Sequence, residues 1–235
     1  MIPGIRAVLF DLDETLIDDF PGLERAHRAV ARRLRDYLRG RGMEVNEDEL
    51  FNRITQLDDK MNLQRRYIRN DWWPLLLEKM NVKAELPPEL LDELTWIYWK
   101  TFADNSRPYP DTKPTLEYLK GKGYQLGIVT DTDGTRGIKE MRLKQLDFIK
   151  NFDVVIISGE DTARTKPDPQ PFLLAAERLG VRPEECVFVG DKPFTDIDGG
   201  RAAGMKTVLL KRRDWGVRER ADYTIKSLAE LRDLL

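Results

Sequence analysis

Short apolar runs bounded by turn residues recur along the chain, at Ala7–Phe10, Leu126–Thr130, Val154–Ser158, Cys186–Val189 and Thr207–Leu210, with a weaker one at Tyr223–Ile225. Most are rich in Val and Ile, and their apolarity is close to continuous. That pattern suits strands buried on both faces, as in a parallel sheet, rather than half-exposed strands with alternating polarity. Between them the apolar period changes to a helical one, at roughly 112–121, 135–145, 170–179, 195–203 and 227–234. Strand and helix in alternation predict an α/β fold, a doubly wound parallel-sheet Rossmann-like core.

The alternation has one long interruption. From roughly 18 to 107 the pattern is helical and contains no convincing strand. Pro87-Pro88 divides this stretch, and Pro108 and Pro110 close it. A structureless loop of that length is improbable in a compact protein. The expectation is therefore an inserted all-helical domain over 18–107, with 1–17 and 108–235 forming the α/β core domain. Trp72, Trp73, Trp96, Tyr98 and Trp99 are candidates for the insertion's own core. The insertion's first helix carries Arg25, Arg28, Arg32, Arg35 and Arg39 opposite Leu23, Ala26, Val30, Leu34 and Tyr37. A solvated face is the preferred reading of that stripe, ahead of an anion-binding surface. Lys60, Arg65, Arg66 and Arg69, in mid-insertion, are better placed to meet a substrate. His27 reads as a surface residue.

Composition narrows the chemistry. The 235 residues include a single His and a single Cys, Cys186, against 41 acidic and 39 basic side chains. A disulfide framework, a multi-His or Cys-cluster metal site and a His-based triad are thereby excluded or disfavoured. Cys186 opens a buried strand and reads as a small core residue. The net charge of −2 argues against a nucleic-acid coat. No apolar run approaches the length of a membrane span, and neither a signal peptide nor a lipidation motif is evident. The expectation is a cytoplasmic protein with no membrane or nucleic-acid partner; oligomeric state is not legible. Any catalysis must come from carboxylates, Lys, Arg, Ser, Thr or Tyr.

In open α/β sheets ligands sit outside the carboxyl ends of the strands. The first strand is followed by Asp11-Leu12-Asp13-Glu14-Thr15, and the second ends at Thr130-Asp131. Lys166 lies on the loop after the third, and the fourth is followed by Gly190-Asp191, with Asp196 five residues beyond. Carboxylates gathered at one sheet edge repel one another unless a cation sits among them. Oxygen ligands without His or Cys favour Mg²⁺, which shares its coordination with a phosphate. Thr130 and nearby backbone N–H groups suit phosphate oxygens, and Lys166 suits the charge that develops on a transferring group.

These residues, in this order and each after a predicted strand, resemble the four motifs of the haloacid dehalogenase (HAD) superfamily. The resemblance spans the whole chain and implies a hydrolase core with a helical cap between the first and second motifs. It implies Asp11 as the nucleophile that forms an aspartyl-phosphate and Asp13 as the general acid/base. It also implies Mg²⁺ held by the Asp11 carboxylate, the Asp13 backbone carbonyl and the Asp191 carboxylate, with Asp196 in or beside that shell. Thr130 and Asp131 fall where the family binds the phosphoryl oxygens, and Lys166 where it stabilises Asp11. The family's dehalogenases lack the second Asp, because halide leaves without a proton; Asp13 therefore favours phosphoryl transfer. The expected enzyme is a Mg²⁺-dependent phosphatase acting on a small phosphorylated metabolite. A 2-haloacid dehalogenase, a sugar phosphomutase and a non-catalytic phosphate-binding domain are its rivals. Caps of this kind close over the site and govern substrate choice. Two positions depart from the family pattern: Asp131 stands where Asn is common, and Thr195 precedes Asp196 where Asn is frequent.

Overall fold

The computed structural model describes residues 1–216 and 220–235. It divides into two compact units. One is Met1–Asp18, Arg107–Thr132 and Leu143–Leu235; the other is Asp19–Ser106 with Asp133–Arg142.

The first unit is built on a parallel sheet. In chain order its strands are β1 (Ala7–Phe10), β4 (Gln125–Asp131), β5 (Val154–Ser158), β6 (Cys186–Gly190), β7 (Lys206–Leu210) and β8 (Tyr223–Ile225). Their spatial order is β5-β4-β1-β6-β7-β8, every neighbouring pair parallel. β1 shows why the runs lack alternation. Val8 and Phe10 enter one apolar cluster with Leu116 and Leu119, while Ala7 and Leu9 enter another with Phe172 and Ala176. Leu116 and Leu119 lie on α5 (Thr112–Gly121), and Phe172 and Ala176 on α7 (Gln170–Leu179). Both faces of the strand are thus covered, as a doubly wound fold requires. The remaining helices of this unit are α8 (Asp198–Ala202) and α9 (Leu231–Leu234). α8 is preceded by a π-turn over Pro193–Ile197, so the helix expected at 195–203 is broken in two.

A two-residue antiparallel pair was not foreseen: β2 (Ile17–Asp18) bonds to β3 (Arg107–Pro108). Two residues are too few to show a period of two, and they sit where the sequence reads as a plain boundary.

The second unit contains α1 (Phe20–Arg39), α2 (Glu47–Leu63), α3 (Trp72–Lys79) and α4 (Pro88–Asn105). Local signals set its ends. Asn46 accepts a hydrogen bond from Glu49 N at 3.0 Å and caps α2, and Pro88 opens α4. Its core joins Val30 and Leu34 of α1, Ile54 of α2, Trp72 and Trp73 of α3, and Leu94 and Tyr98 of α4. Trp96 is half-exposed and does not contribute to that core.

Within this core lies an ionic group that the sequence reading misassigned. His27 is buried, not on the surface; its Nε2 lies 3.2 Å from Asp58 Oδ2. Arg69, one of the four mid-insertion basic residues better placed in principle to meet a substrate, is buried as well. Its Nη2 is 3.4 Å from Asp58 Oδ1, and its guanidinium stacks 3.6 Å from the Trp72 ring. A single His at a helical apolar position and an Arg before Trp-Trp were the available signals. Asp19 is buried too, 3.8 Å from Arg142. The Arg stripe of α1 is solvated, with Arg28, Arg32 and Arg35 paired to Glu24, Asp48, Glu47 and Asp36.

Residues 133–142, expected in the α/β core, pack with the helices instead. Gly134 has φ +85°, and a Cβ there would lie 2.1 Å from the Tyr67 carbonyl oxygen, so only glycine permits this approach. Asp133 is buried and bonded to Arg142 and Lys139, 2.9 and 2.8 Å away. Part of this segment forms α6 (Ile138–Lys144).

Candidate functional site

The site is assembled at the carboxyl ends of three adjacent strands, β4, β1 and β6. Phe10 is in register with Ile128 on one side and Val189 on the other, so the turns that follow β1 and β6 leave the sheet side by side. The Asp11 N–H still bonds to Val189 O at 2.9 Å, which fixes the first residue past β1. Asp191 follows the last residue of β6, and Lys166 comes from the loop after β5.

Lys166 ties the acids together. Its Nζ donates to Asp11 Oδ1 at 2.6 Å and to Asp196 Oδ1 at 2.7 Å, and all three side chains are buried. Burial would lower the Lys166 ammonium, but Asp11 and Asp196 hold it well above its ordinary value. Both Asp196 oxygens accept: the second takes the Lys192 N–H at 3.0 Å. Gly190 makes this possible, because a Cβ there would lie 2.4 Å from Asp196 Oδ2.

Asp11, Asp191 and Asp196 each offer a carboxylate oxygen within 4.8 Å of the others. Burial pushes the Asp191 carboxyl up to about 7, and burial likewise raises Asp11 against the pull of Lys166. Asp11 Oδ2 and Asp191 Oδ2 are buried with no hydrogen-bond donor among the described residues. Buried anionic oxygens without donors are costly. A hard cation would satisfy them, and the all-oxygen donor set fits one. Asp196 differs from this pair in that both of its oxygens already accept a hydrogen bond, from Lys166 and from the Lys192 N–H. The Asp13 carboxylate is outside the three-acid group; Asp13 approaches it through its backbone carbonyl, 3.5 Å from Lys192 Nζ.

Thr130 is buried in β4, and its Oγ1 has no hydrogen-bond partner among the described residues. The side chain of Asp131 is committed elsewhere: Oδ1 accepts from the Ser158 hydroxyl and, at 3.1 Å, from the Lys166 N–H. The carboxylate therefore braces the loop that carries Lys166. Thr195 is buried, and its Oγ1 likewise has no hydrogen-bond partner among the described residues.

Two participants went unnoticed in the sequence. Lys192, adjacent to Gly190-Asp191, brings its ammonium 3.4 Å from Asp191 Oδ1 and 3.9 Å from Asp11 Oδ2. Trp215 donates its indole N–H to the Asp191 carbonyl at 2.8 Å and meets Phe194 edge-on at 5.2 Å. Proximity to the fourth motif was the available signal for Lys192. Nothing in the pattern pointed to Trp215.

The fold and site define a Rossmann-like enzyme whose buried Asp–Lys pair stands at the sheet's carboxyl edge beside a carboxylate cluster. The model of the haloacid dehalogenase-like hydrolases matches residues 5–204, and the chain belongs to that family. Among curated relatives, glyceraldehyde 3-phosphate phosphatase of Methanopyrus kandleri is 35% identical over 210 residues, covering 88% of this chain and 84% of its own. Phosphoglycolate phosphatase of Escherichia coli is 34% identical over 217 residues, covering 88% and 81%. The crystal structure of a HAD phosphatase from Thermococcus onnurineus superposes with a TM-score of 0.66 at 33% identity, over 98% of this chain and 97% of that one. No helix among the described residues is long and apolar enough to cross a membrane.

Proposed function

We propose that the chain is a Mg²⁺-dependent phosphatase that hydrolyses a small phosphomonoester through an aspartyl-phosphate on Asp11. The observation that carries this reading is the state of the Asp11 carboxylate. One oxygen is held by Lys166 at 2.6 Å, and the other is buried without a donor, beside an equally bare Asp191 oxygen. That is a nucleophile with one anchored and one available oxygen. The similarity to phosphatases of a two-carbon and a three-carbon phosphate supports a small, acidic or aldehydic phosphate ester as substrate.

In this mechanism one oxygen of the Asp11 carboxylate attacks phosphorus, and the ester P–O bond breaks. Asp13 gives its proton to the departing oxygen, which leaves as an alcohol. A water then attacks the phosphorus of the aspartyl-phosphate and passes a proton to Asp13. The Asp11 carboxylate and inorganic phosphate are released. Lys166 opposes the upward pull of burial on the Asp11 carboxyl and offsets charge on the phosphoryl oxygens. The Thr130 hydroxyl and the backbone N–H of Asp131 bind those oxygens. Asp11, the Asp13 carbonyl and Asp191 would hold Mg²⁺, which would supply neutralisation of the carboxylates and of the transferring phosphoryl group. Substrate choice is assigned to the helical unit.

The test is turnover of p-nitrophenyl phosphate, phosphoglycolate and glyceraldehyde 3-phosphate with Mg²⁺, with EDTA, and in Asp11→Asn and Asp13→Asn variants. Activity should need Mg²⁺ and fall by about 10³-fold or more in Asp11→Asn, the scale seen when a catalytic unit loses its nucleophile. Full activity in EDTA or in Asp11→Asn would overturn the mechanism.

A further inference from the structure

The two lysines of the site are held differently. Lys166 makes short bonds of 2.6 and 2.7 Å to two buried acids, and its side chain is only 3% exposed. Lys192 makes no contact that short. Its ammonium lies 3.4 Å from Asp191 Oδ1, 3.5 Å from the Asp13 carbonyl oxygen and 3.9 Å from Asp11 Oδ2. Those three groups are the ones assigned above to Mg²⁺. The side chain is 30% exposed, while its backbone N–H is anchored on Asp196 at 3.0 Å.

We propose that Lys192 is a built-in, releasable cation of the site: its ammonium fills the convergence of Asp11, the Asp13 carbonyl and Asp191, and a divalent ion binds by displacing it. The inference rests on the metal reading above and adds the exchange of one cation for another.

The physical grounds are the distances and the tether. Charge-assisted hydrogen bonds close to about 2.7–2.9 Å. An amine held at greater distance from three oxygens contributes charge without strong bonds to break. It partly relieves the cost of burying like charges near one another when no metal is present. Because the backbone is fixed at Asp196, release needs only rotation of the flexible four-carbon stem toward the water it already touches. Lys166 lacks that freedom, since leaving would strand two buried acids. The exchange has a cost on the metal side as well. The incoming ion must replace an attraction that already exists, so Lys192 weakens metal affinity while it steadies the metal-free protein.

The experiment titrates MgCl₂ into EDTA-stripped, chelator-free protein by calorimetry, for wild type, Lys192→Met and Asp191→Asn, with melting temperatures in parallel. Lys192 acetylation by an N-hydroxysuccinimide ester is followed by mass spectrometry with and without Mg²⁺. Lys192→Met should bind Mg²⁺ about ten-fold more tightly, equivalent to about 1.4 kcal/mol. It should melt lower than wild type without metal and regain most of the difference with it. In wild type, Mg²⁺ should raise the Lys192 acetylation rate several-fold, and that rise should be lost in Asp191→Asn. Equal or weaker Mg²⁺ binding by Lys192→Met, or no rise in acetylation where Mg²⁺ does bind, overturns the exchange and leaves the metal reading intact. If wild type binds no Mg²⁺, the metal reading falls and the exchange with it. Should Lys192→Met fail to fold, acetylation of the wild-type protein decides the question alone.

Discussion

At the residue scale the site depends on a close approach that only one side chain permits. Gly190 has no Cβ, and Asp196 occupies the space a Cβ would take, 2.4 Å from its ideal position. Gly190→Ala must therefore push Asp196 away from both Lys166 Nζ and the Lys192 N–H. The expected result is a loss of about 1–3 kcal/mol of stability, as for other overpacked substitutions. Turnover should fall by about 100-fold, the scale for misplaced catalytic groups. Chemical denaturation and kcat/KM on the same preparation check both, and an Ala variant with wild-type turnover would show that Asp196 does not position Lys166. Strand ends were the legible signal, and Asp11, Lys166, Asp191 and Asp196 lie together at one sheet edge. What their side chains do there was less legible. Asp131 falls where the family binds phosphoryl oxygens and often carries Asn, and its carboxylate serves Ser158 and the Lys166 N–H. Nothing local distinguishes those two uses, because the partners lie 27 and 35 residues away.

At the element scale the helical unit contains a buried ion network whose behaviour with pH follows from its partners. Burial alone would raise the Asp58 carboxyl. The hydrogen bond to His27 and the charge of Arg69 outweigh it and hold the group below its ordinary value of 3.8. A carboxyl depressed in the folded state adds stability that is fully present above the unfolded value. That stability is lost as pH falls through the lower folded value. Melting curves from pH 6 to pH 2 should therefore show an acid-labile contribution from Asp58. Asp58→Asn should flatten that limb while lowering stability near neutrality by about 3–5 kcal/mol, since Arg69 is left buried beside an uncharged amide. An unchanged acid limb in the Asn variant would remove Asp58 as its source. The elements themselves were read well where a period could establish itself. α5 and α7 match the patterns at 112–121 and 170–179, and β1, β5 and β8 match their apolar runs. Elements too short to hold a period, such as β2 and β3, were missed. Residues 133–142 were given to the wrong unit, because their partners are set by Gly134 against Tyr67, a contact that hydropathy does not encode.

For the whole molecule, a net charge of −2 conceals an acid cluster whose members cannot all ionise freely without a cation. Burial, in the company of Asp196 and Asp11 and despite Lys192, pushes the Asp191 carboxyl to about 7. A carboxyl raised in the folded state adds stability that is fully present below the unfolded value of 3.8 and is lost as pH rises through about 7. The metal-free protein should thus lose some stability between pH 6 and pH 8 on account of this group. Mg²⁺ acts in the opposite sense, because it binds the ionised carboxylate and competes with the proton. Its stabilisation, which grows with the logarithm of concentration over Kd, should be small at pH 6 and increase through pH 7 to pH 8. Thermal melts at those three pH values, with and without saturating MgCl₂, read the difference directly. The gap between the two curves should widen with pH in wild type. In Asp191→Asn it should be small and nearly independent of pH, because the amide neither titrates nor offers a charged ligand. A Mg²⁺ shift of equal size at pH 6 and pH 8 in wild type would mean that Asp191 is already ionised in the metal-free fold, with Lys192 outweighing its burial.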